Sequence, residues 1–195
     1  MKPAFEIIDL GTLPGGSMSH AVALNNRGQV AGWGGYPGSP FFQVAWVWQD
    51  GILSSLTMPA EGLTSDVRDI NDLGQIIGQT KQLIGDHQSS DDSSLKALHV
   101  GPLGTMLGNK GNTPFLPFIV RDGRAEFFRH PEPGRILLQA INNKGHVLGW
   151  LDTFHQDEPD RPPRKTRKSF LWRDGQFTDI VAVDGGKFQA YGLNI

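Results

Sequence analysis

Residues that most often carry chemistry are present in this chain, but not at a catalytic or metal-binding spacing. The 195-residue sequence contains six histidines and no cysteine, so it has no thiolate ligand for zinc and no cysteine nucleophile. No His-Glu-x-x-His pattern, nucleophile elbow, phosphate-binding loop or dinucleotide fingerprint occurs. The sequence therefore predicts no cofactor and no metal, and it favours a non-catalytic binding or interaction scaffold.

Carboxylates and basic residues supply the alternatives to such a scaffold. A hydrolase or lyase would use loop carboxylates or histidines as its acid and base, and the scattered acidic residues leave that alternative open. Residues 161–168 carry five positive charges, but Asp157, Glu158 and Asp160 precede them. Because the formal net charge of the whole chain is only -2, we expect no nucleic-acid partner.

Four residues are the candidates for a binding site: Trp33, Tyr36, Trp150 and His155. Trp33 and Trp150 each stand eight residues after a repeated asparagine, where a predicted strand opens into a loop. Gln79 holds this position in the middle repeat, so packing does not require an aromatic there. Indole rings at such a rim suit stacking on sugars or anchoring a peptide or protein. The alternative is a tryptophan folded over its own loop.

The elements that position these residues come from an internal repeat. The pattern apolar-Asn-x-x-Gly-x-apolar-x-Gly occurs at 23–32, 69–78 and 140–149, and a truncated copy begins at 192. An aromatic run ending in Asp-Gly alternates with it, at 46–51, 118–123 and 170–175. From that last glycine to the next repeated asparagine the intervals are 20, 19 and 19 residues. The intervals between the two patterns vary instead, so one half of the unit has a fixed length.

Both patterns are signals for tight turns between antiparallel strands. The asparagine side chain can bond to a backbone N–H two residues on, and the glycine adopts the left-handed conformation. Asp-Gly also favours positive φ. The predicted structural turn residues are Asn25, Gly28, Asn71, Gly74, Asn142, Gly145, Asp50, Gly51, Asp122, Gly123, Asp174 and Gly175.

The predicted architecture is all-β: a β-propeller-like array of about three four-stranded antiparallel blades, open or incomplete. We assign one repeat domain over 1–195, with units at 20–57, 66–128 and 137–181 and a long loop insertion at 79–117. Partial strands are expected at 5–10 and 190–195. The third strand of each unit is apolar on both faces, which predicts burial between sheets. Open blade edges predict self-association.

Composition supports this class of fold. The 25 glycines and 13 prolines exclude a helical bundle, because they would interrupt long helices. No apolar stretch is long enough for a membrane span, and the first residues lack the apolar run of a signal peptide, so we expect none in this sequence.

Residues 9–17, 23–32 and 169–175 resemble the extracellular HAF repeat, named for a His-Ala-Phe triplet. The triplet itself is replaced here by Val44-Ala45-Trp46, Leu116-Pro117-Phe118 and Lys168-Ser169-Phe170. The resemblance implies β-propeller-like repeats and an extracellular or cell-envelope location. The predicted strands are too few for a closed four-bladed ring, which favours a fragment of a longer array or a ring closed with a defective blade. The resemblance implies no activity, so the expected partner is an unspecified protein or carbohydrate.

Overall fold

A computed structural model describes residues 5–36, 39–58, 63–82, 115–157, 162–181 and 189–193, and twelve β-strands lie within them. We call the three groups of four strands the first, middle and last sheets. The first sheet contains β1 to β4, at Ser19–Leu24, Val30–Tyr36, Ser39–Gln49 and Ile52–Ser55. The middle sheet contains β5 to β8, at Leu63–Ile70, Ile76–Gln82, Phe115–Arg121 and Arg124–Phe127. The last sheet contains β9 to β12, at Arg135–Ile141, Val147–His155, Arg164–Arg173 and Gln176–Ile180.

Each sheet is an antiparallel meander in which strands neighbouring in sequence are neighbours in space. The predicted all-β class and the three four-stranded antiparallel sheets are confirmed. The register between the first and second strands shifts at the same place in every sheet. The shift lies between Ala21 and Ala23 in the first sheet, between Val67 and Asp69 in the middle sheet, and between Leu148 and Gly149 in the last sheet. The described residues contain no helix, and hence none that could cross a membrane.

The tight turns have the backbone that their residue types favour. Gly28, Gly74 and Gly145 have φ of 76°, 78° and 76°, in the left-handed region. The non-glycine residues with positive φ among those described are Asp50, Asp122 and Asp174, at 50°, 49° and 49°. Because aspartate tolerates this region better than bulkier residues do, the Asp-Gly pairs close the hairpins between third and fourth strands.

The last glycine of the repeat pattern makes room for an aromatic ring on the neighbouring strand. Gly32 lies opposite Trp46, Gly78 opposite Phe118 and Gly149 opposite Phe170, and all three rings are fully buried. A Cβ on Gly32 would lie 2.6 Å from Trp46 Cζ2 and closer still to the backbone oxygen of His20, both nearer than real contacts. The glycine and the aromatic ring, found in different halves of the unit, are therefore one packing feature.

Successive sheets pack through two different kinds of face. Aromatic and larger apolar side chains of one sheet cover small or aliphatic side chains of the sheet before it. Between the first and middle sheets, Ala31 and Ala45 share a cluster with Phe118 and Val120. Between the middle and last sheets, Ile77, Ile119, Phe170 and Val147 form the equivalent cluster. Burial of each phenylalanine contributes about 2–3 kcal/mol. The middle sheet is covered on both faces, so it is the centre of the fold.

The predicted partial strand at 5–10 is wrong. These residues lie outside any strand, with Phe5 and Ile7 86% and 96% exposed. A fourth strand pairs only with the third strand of its sheet, and β3, β7 and β11 already pair with β4, β8 and β12. Residues 190–193 of the predicted strand at 190–195 are also outside any strand, because no second strand pairs with them in the described chain. Asn194 and Ile195 lie outside the described residues.

The variable segments are shorter than predicted, because the second and third strands continue past the closing glycine. β2 extends to Tyr36 and β10 to His155. The predicted insertion at 79–117 begins and ends within strands, since β6 reaches Gln82 and β7 starts at Phe115. Its remainder, 83–114, lies outside the described residues.

His130, in the link from the middle to the last sheet, makes stability dependent on pH. Its ring lies 4.3 Å from that of Phe177 and 5.2 Å from that of Phe170, centroid to centroid. Nδ1 accepts a hydrogen bond from the Glu132 N–H, and Nε2 is buried without a partner. Burial lowers the pKa of His130 from 6.5, outweighing the opposing charges of Glu132 and Asp179; Lys168 lowers it further. The unfolded chain therefore binds more protons than the folded one as pH falls through the unfolded value, and stability decreases.

We expect the urea concentration at the unfolding midpoint to be lower at about pH 5.5 than at about pH 7.5. In His130→Phe that difference should shrink by at least half, because the aromatic packing remains and the titrating group is gone. The matched control is His146→Gln, since Gln29 and Gln75 occupy the same repeat position. An unchanged pH dependence in His130→Phe would contradict the assignment.

Candidate functional site

The Asn-x-x-Gly turns of the three sheets are linked directly to one another. Asn25 Nδ2 donates to the Asn71 backbone oxygen at 2.8 Å. Asn71 Nδ2 donates to the Asn142 backbone oxygen, also at 2.8 Å. The side chain of one repeat therefore bonds to the backbone of the next, and the asparagines set the relative positions of the sheets as well as closing their own turns.

The remaining hydrogen-bonding groups of these asparagines are occupied within their own turns. Asn25 Oδ1 accepts from the backbone N–H groups of Arg27 and Gln29, at 3.1 and 2.9 Å, and Nδ2 also donates to Gln29 Oε1. Asn71 makes the same contacts with Leu73 and Gln75. Since their donors and acceptors are used in the fold, Asn25 and Asn71 have little left for a ligand.

A shallow cavity of about 200 Å³ lies beside these turns. Within it, the Asp72 carboxylate accepts from Asn26 N at 2.8 Å, Asn26 Nδ2 at 2.9 Å and Asn143 Nδ2 at 2.6 Å. These bonds, with those of Asn26 the largest cause, lower the pKa of Asp72. The polar groups that line the cavity therefore bond to one another. The cavity is lined by Leu24, Asn25, Asn26, Ile70, Asn71, Asp72, Ile141, Asn142, Asn143 and Leu193.

Trp150 lies inside β10, paired with Ser169, and is only 8% exposed. Its Nε1 donates to the Ala190 backbone oxygen at 2.8 Å. The Arg167 guanidinium lies 4.3 Å from the indole centroid, and the Tyr191 ring stands edge-on at 5.0 Å. Trp150 is therefore not at a strand opening as predicted, because the β10–β11 hairpin continues beyond it.

The charge of Arg167 is balanced by Asp152, whose side chain is fully buried. Arg167 Nη2 donates to Asp152 Oδ2 at 2.8 Å, and Lys165 Nζ lies 2.8 Å from the same oxygen. Burial would raise the pKa of Asp152, but the hydrogen bonds and charges of Arg167 and Lys165 outweigh it and hold the pKa below its usual value. A bidentate arginine–carboxylate pair of this kind fixes the guanidinium plane over Trp150.

The other described cations of the basic run also face carboxylates. Arg164 Nε lies 3.0 Å from Asp157 Oδ2. Lys168 Nζ lies 3.3 Å from Glu132 Oε2 and 3.4 Å from Asp179 Oδ2. Because neighbouring acids neutralise these charges, the run does not form a free basic surface over its described part.

The other three predicted site residues are distributed over two sheets. Trp33 lies inside β2 and stacks on His20, with ring centroids 4.1 Å apart. Tyr36 ends β2, and its side chain lies outside the described residues. His155 ends β10, where Nε2 lies 3.2 Å from Thr153 Oγ1 and 3.3 Å from Thr166 Oγ1. Trp33 and Trp150 are thus in the first and last sheets, with the middle sheet between them.

Burial raises the pKa of Asp69 in the middle sheet, and Asp66 of the same sheet shares this property of a general acid. Burial raises its pKa, although Gln79 and Arg68 oppose that effect. Gln79 Nε2 donates to Asp66 Oδ2 at 3.0 Å, and Arg68 Nε lies 3.7 Å from Oδ1. Neither neighbour forms an acid–base pair with it. Over the described residues, no three His, Asp or Glu side chains are placed to hold a metal ion.

Sequence reasoning found Trp150 but missed Asp152, Arg167 and Ser169, which surround it. The signal was the two-residue spacing of Lys165, Arg167 and Ser169, which puts these three residues on one strand face. It was unusable without the register of the hairpin, because the sequence between β10 and β11 has no Asn-Gly or Asp-Gly pair to indicate that register.

Comparisons with known proteins returned no match. No family model matches the chain, and no curated protein or solved structure was found to match it. The function therefore has to be argued from geometry.

Proposed function

We propose that the chain is a non-catalytic binding scaffold, a propeller-like array of repeats that presents variable residues at one end of its sheets to a protein or carbohydrate. In a four-stranded meander both tight turns lie at one end, which we call the turn end. The connections from second to third strand and from sheet to sheet lie at the other, the loop end. Binding residues of repeat proteins commonly gather where connections vary.

One observation carries the proposal: the turn end is the same in each repeat, and the loop end is not. At the turn end, each Asn-x-x-Gly turn makes the same internal hydrogen bonds. Towards the loop end, one cross-strand pair occupies equivalent positions in the three sheets and differs in each. The pairs are His20 with Trp33, Asp66 with Gln79, and Leu137 with Trp150. A scaffold with varied chemistry on a constant frame is what a binding function requires.

Contacts between the sheets support the propeller-like arrangement. The first strand of each sheet contacts the first strand of the next, β1 with β5 and β5 with β9. Leu193 lines the same cavity as Leu24, Ile70 and Ile141, which all precede an asparagine of the repeat. The chain thus supplies four equivalent positions around one cavity, which agrees with the repeat pattern of the HAF-type resemblance. The extracellular or cell-envelope location is proposed from that resemblance alone.

The alternative of a hydrolase or lyase has less support. Asp72 and Asp152 have lowered pKa values because of their hydrogen bonds, so they are poor general acids. His155 contacts threonine hydroxyls, and no carboxylate orients it as a base in the described chain.

The test is binding of the labelled full chain to glycan and peptide arrays. Trp33→Ala should weaken the strongest array signal at least fivefold, because the indole–imidazole stack is the varied pair most suited to a ligand. Phe5→Ala, an exposed aromatic outside the sheets, is the matched control and should leave binding unchanged. Equal losses in both variants, or no specific array signal, would contradict the proposal. Cleavage of an arrayed compound, detected by mass spectrometry, would establish the enzyme instead.

A further inference from the structure

The segment 189–193, which we call the strap, lies against the last sheet and is held by two side chains of that sheet. Trp150 Nε1 donates to the Ala190 backbone oxygen at 2.8 Å, and the Ala190 N–H donates to Ser169 Oγ at 3.2 Å. Tyr191 adds the edge-on contact of its ring with the indole. Both hydrogen bonds are to main-chain groups of one residue of the strap.

The groups that hold the strap are fixed in the sheet. Trp150 and Ser169 are a cross-strand pair, 8% and 0% exposed. Arg167 lies against the indole and is anchored by the buried Asp152. Because these side chains are positioned by packing and by an ion pair, they form a preorganised surface, which we call the Trp150 platform: Trp150, Ser169 and Arg167.

The platform has the chemistry to bind an extended polypeptide. An indole N–H and a serine hydroxyl are placed to bond to the C=O and the N–H of a single residue, and every peptide presents that pair of groups. Main-chain bonds of this kind give affinity without sequence preference, and neighbouring side chains give the specificity. Here the residue in contact is an alanine, followed by an aromatic whose ring packs perpendicular to the indole.

In the first sheet, the position equivalent to the Trp150 platform lies against a complete strand, β5. Ala45, in the position equivalent to Ser169, donates its N–H to Ser65 Oγ of β5 at 2.8 Å. β5 is itself paired with β6 along its length. The strap is not in a strand over 189–193, and its Tyr191 is 68% exposed. Because no strand pairing holds it over 189–193, the strap can open locally without unfolding the sheets.

We propose that the Trp150 platform is a binding site for an extended peptide segment of a partner protein, small at the contacting residue and aromatic at the next, and that the strap occupies this site in cis. The proposal rests on the binding function proposed above and names its ligand class. A tethered segment competes at an effective concentration in the millimolar range, so the strap limits binding until it is displaced.

The experiment measures fluorescence anisotropy of a labelled synthetic peptide with the sequence of residues 187–195, added to full-length chains. The strap is opened by Ala190→Pro with Tyr191→Ala, which removes the N–H bonded to Ser169 and the ring contact. We expect this variant to bind the peptide at least tenfold more tightly than the unmodified chain. Adding Trp150→Leu to the opened variant should abolish the gain, and adding Leu73→Ala, an exposed side chain in a turn of the middle sheet, should leave it intact.

Equal affinity of the opened and unmodified chains, or an opened variant indifferent to Trp150→Leu, would overturn the proposal. If the opened variant does not fold, hydrogen exchange on the unmodified chain decides. The Ala190 amide should exchange at least tenfold faster than the amides of β10, and exchange at the β10 rate would show the strap to be an integral strand. The array test of the proposed function depends on Trp33, whereas the peptide test depends on Trp150. If the platform does not bind the peptide but array binding remains, only the peptide site is contradicted.

Discussion

Gly149→Ala is expected to destabilise the chain by about 3 kcal/mol, although it adds a single methyl group. A Cβ at this position would lie 2.8 and 2.9 Å from Cε1 and Cε2 of Phe170, and closer still to Cζ. Phe170 is fully buried between the middle and last sheets, so its ring cannot move aside without disturbing both. The loss should appear as a lower urea midpoint with an unchanged slope.

A double-mutant cycle identifies the ring as the cause. Phe170→Leu alone creates a cavity and destabilises, but it removes the atoms that Gly149→Ala would meet. The double variant should therefore be more stable than the sum of the single effects predicts, by at least about 1 kcal/mol. Gly192→Ala, with no atom within 4 Å of its Cβ, is the matched control and should be neutral. Additive losses would show that the glycine is needed for another reason.

The equivalent change in the middle sheet should not be rescued in this way. A Cβ on Gly78 would meet Phe118 Cζ at 2.5 Å and, closer still, the backbone oxygen of Asp66. Trimming Phe118 removes the first conflict but not the second, because the Asp66 oxygen belongs to the adjacent strand. Gly149→Ala thus tests the packing of the aromatic ring, and Gly78→Ala tests the close approach of two neighbouring strands.

The turns and sheets were predictable because their signals are local. Asn-x-x-Gly and Asp-Gly each specify a backbone through one or two residues, and their recurrence fixed the number of strands in each unit. Even here the sequence showed only half of the asparagine's role. The bond from Asn25 to the Asn71 backbone oxygen joins residues 46 positions apart, and no local pattern predicts it.

Features that depend on register were not predictable. The closing glycine looked like the end of a strand, whereas it lies against an aromatic ring of the next strand, at Trp46, Phe118 or Phe170. Gly32 and Gly78 also lie against a backbone oxygen of the preceding strand. Trp33 and Trp150 looked like rim residues for the same reason, since nothing in the sequence shows how far the hairpins extend.

The terminal segments show the limit of pattern matching. Residues 5–10 match a fourth strand in composition, but a strand needs a neighbour with free backbone groups. Every third strand in the described chain already has its fourth. The apolar side chains of Phe5, Ile7 and Ile8 are consequently exposed.

Asn71→Ala should destabilise the chain by about 3 kcal/mol, because it removes hydrogen bonds inside one turn and between two sheets. The side chain is 4% exposed, accepts from Leu73 N and Gln75 N, and donates to the Asn142 backbone oxygen. The loss should exceed that of Asn26→Ala, an exposed residue bonded to Asp72, by at least about 2 kcal/mol. Similar midpoints for the two variants in urea unfolding would contradict a linking role.

Asn71→Asp separates the two contributions, because a carboxylate can still accept from the turn but cannot donate to the next sheet. An ionised oxygen facing the Asn142 backbone oxygen is repelled, so folding should raise the pKa of the new carboxyl. The stability of Asn71→Asp relative to the unmodified chain is then lowest at neutral pH. It recovers as pH falls towards the usual carboxyl pKa of about 4, where protonation restores a donor. Recovery between about pH 6 and about pH 4 in urea titrations would locate the lost energy between the sheets. A loss independent of pH would place it in the turn and remove the linking role of the asparagine.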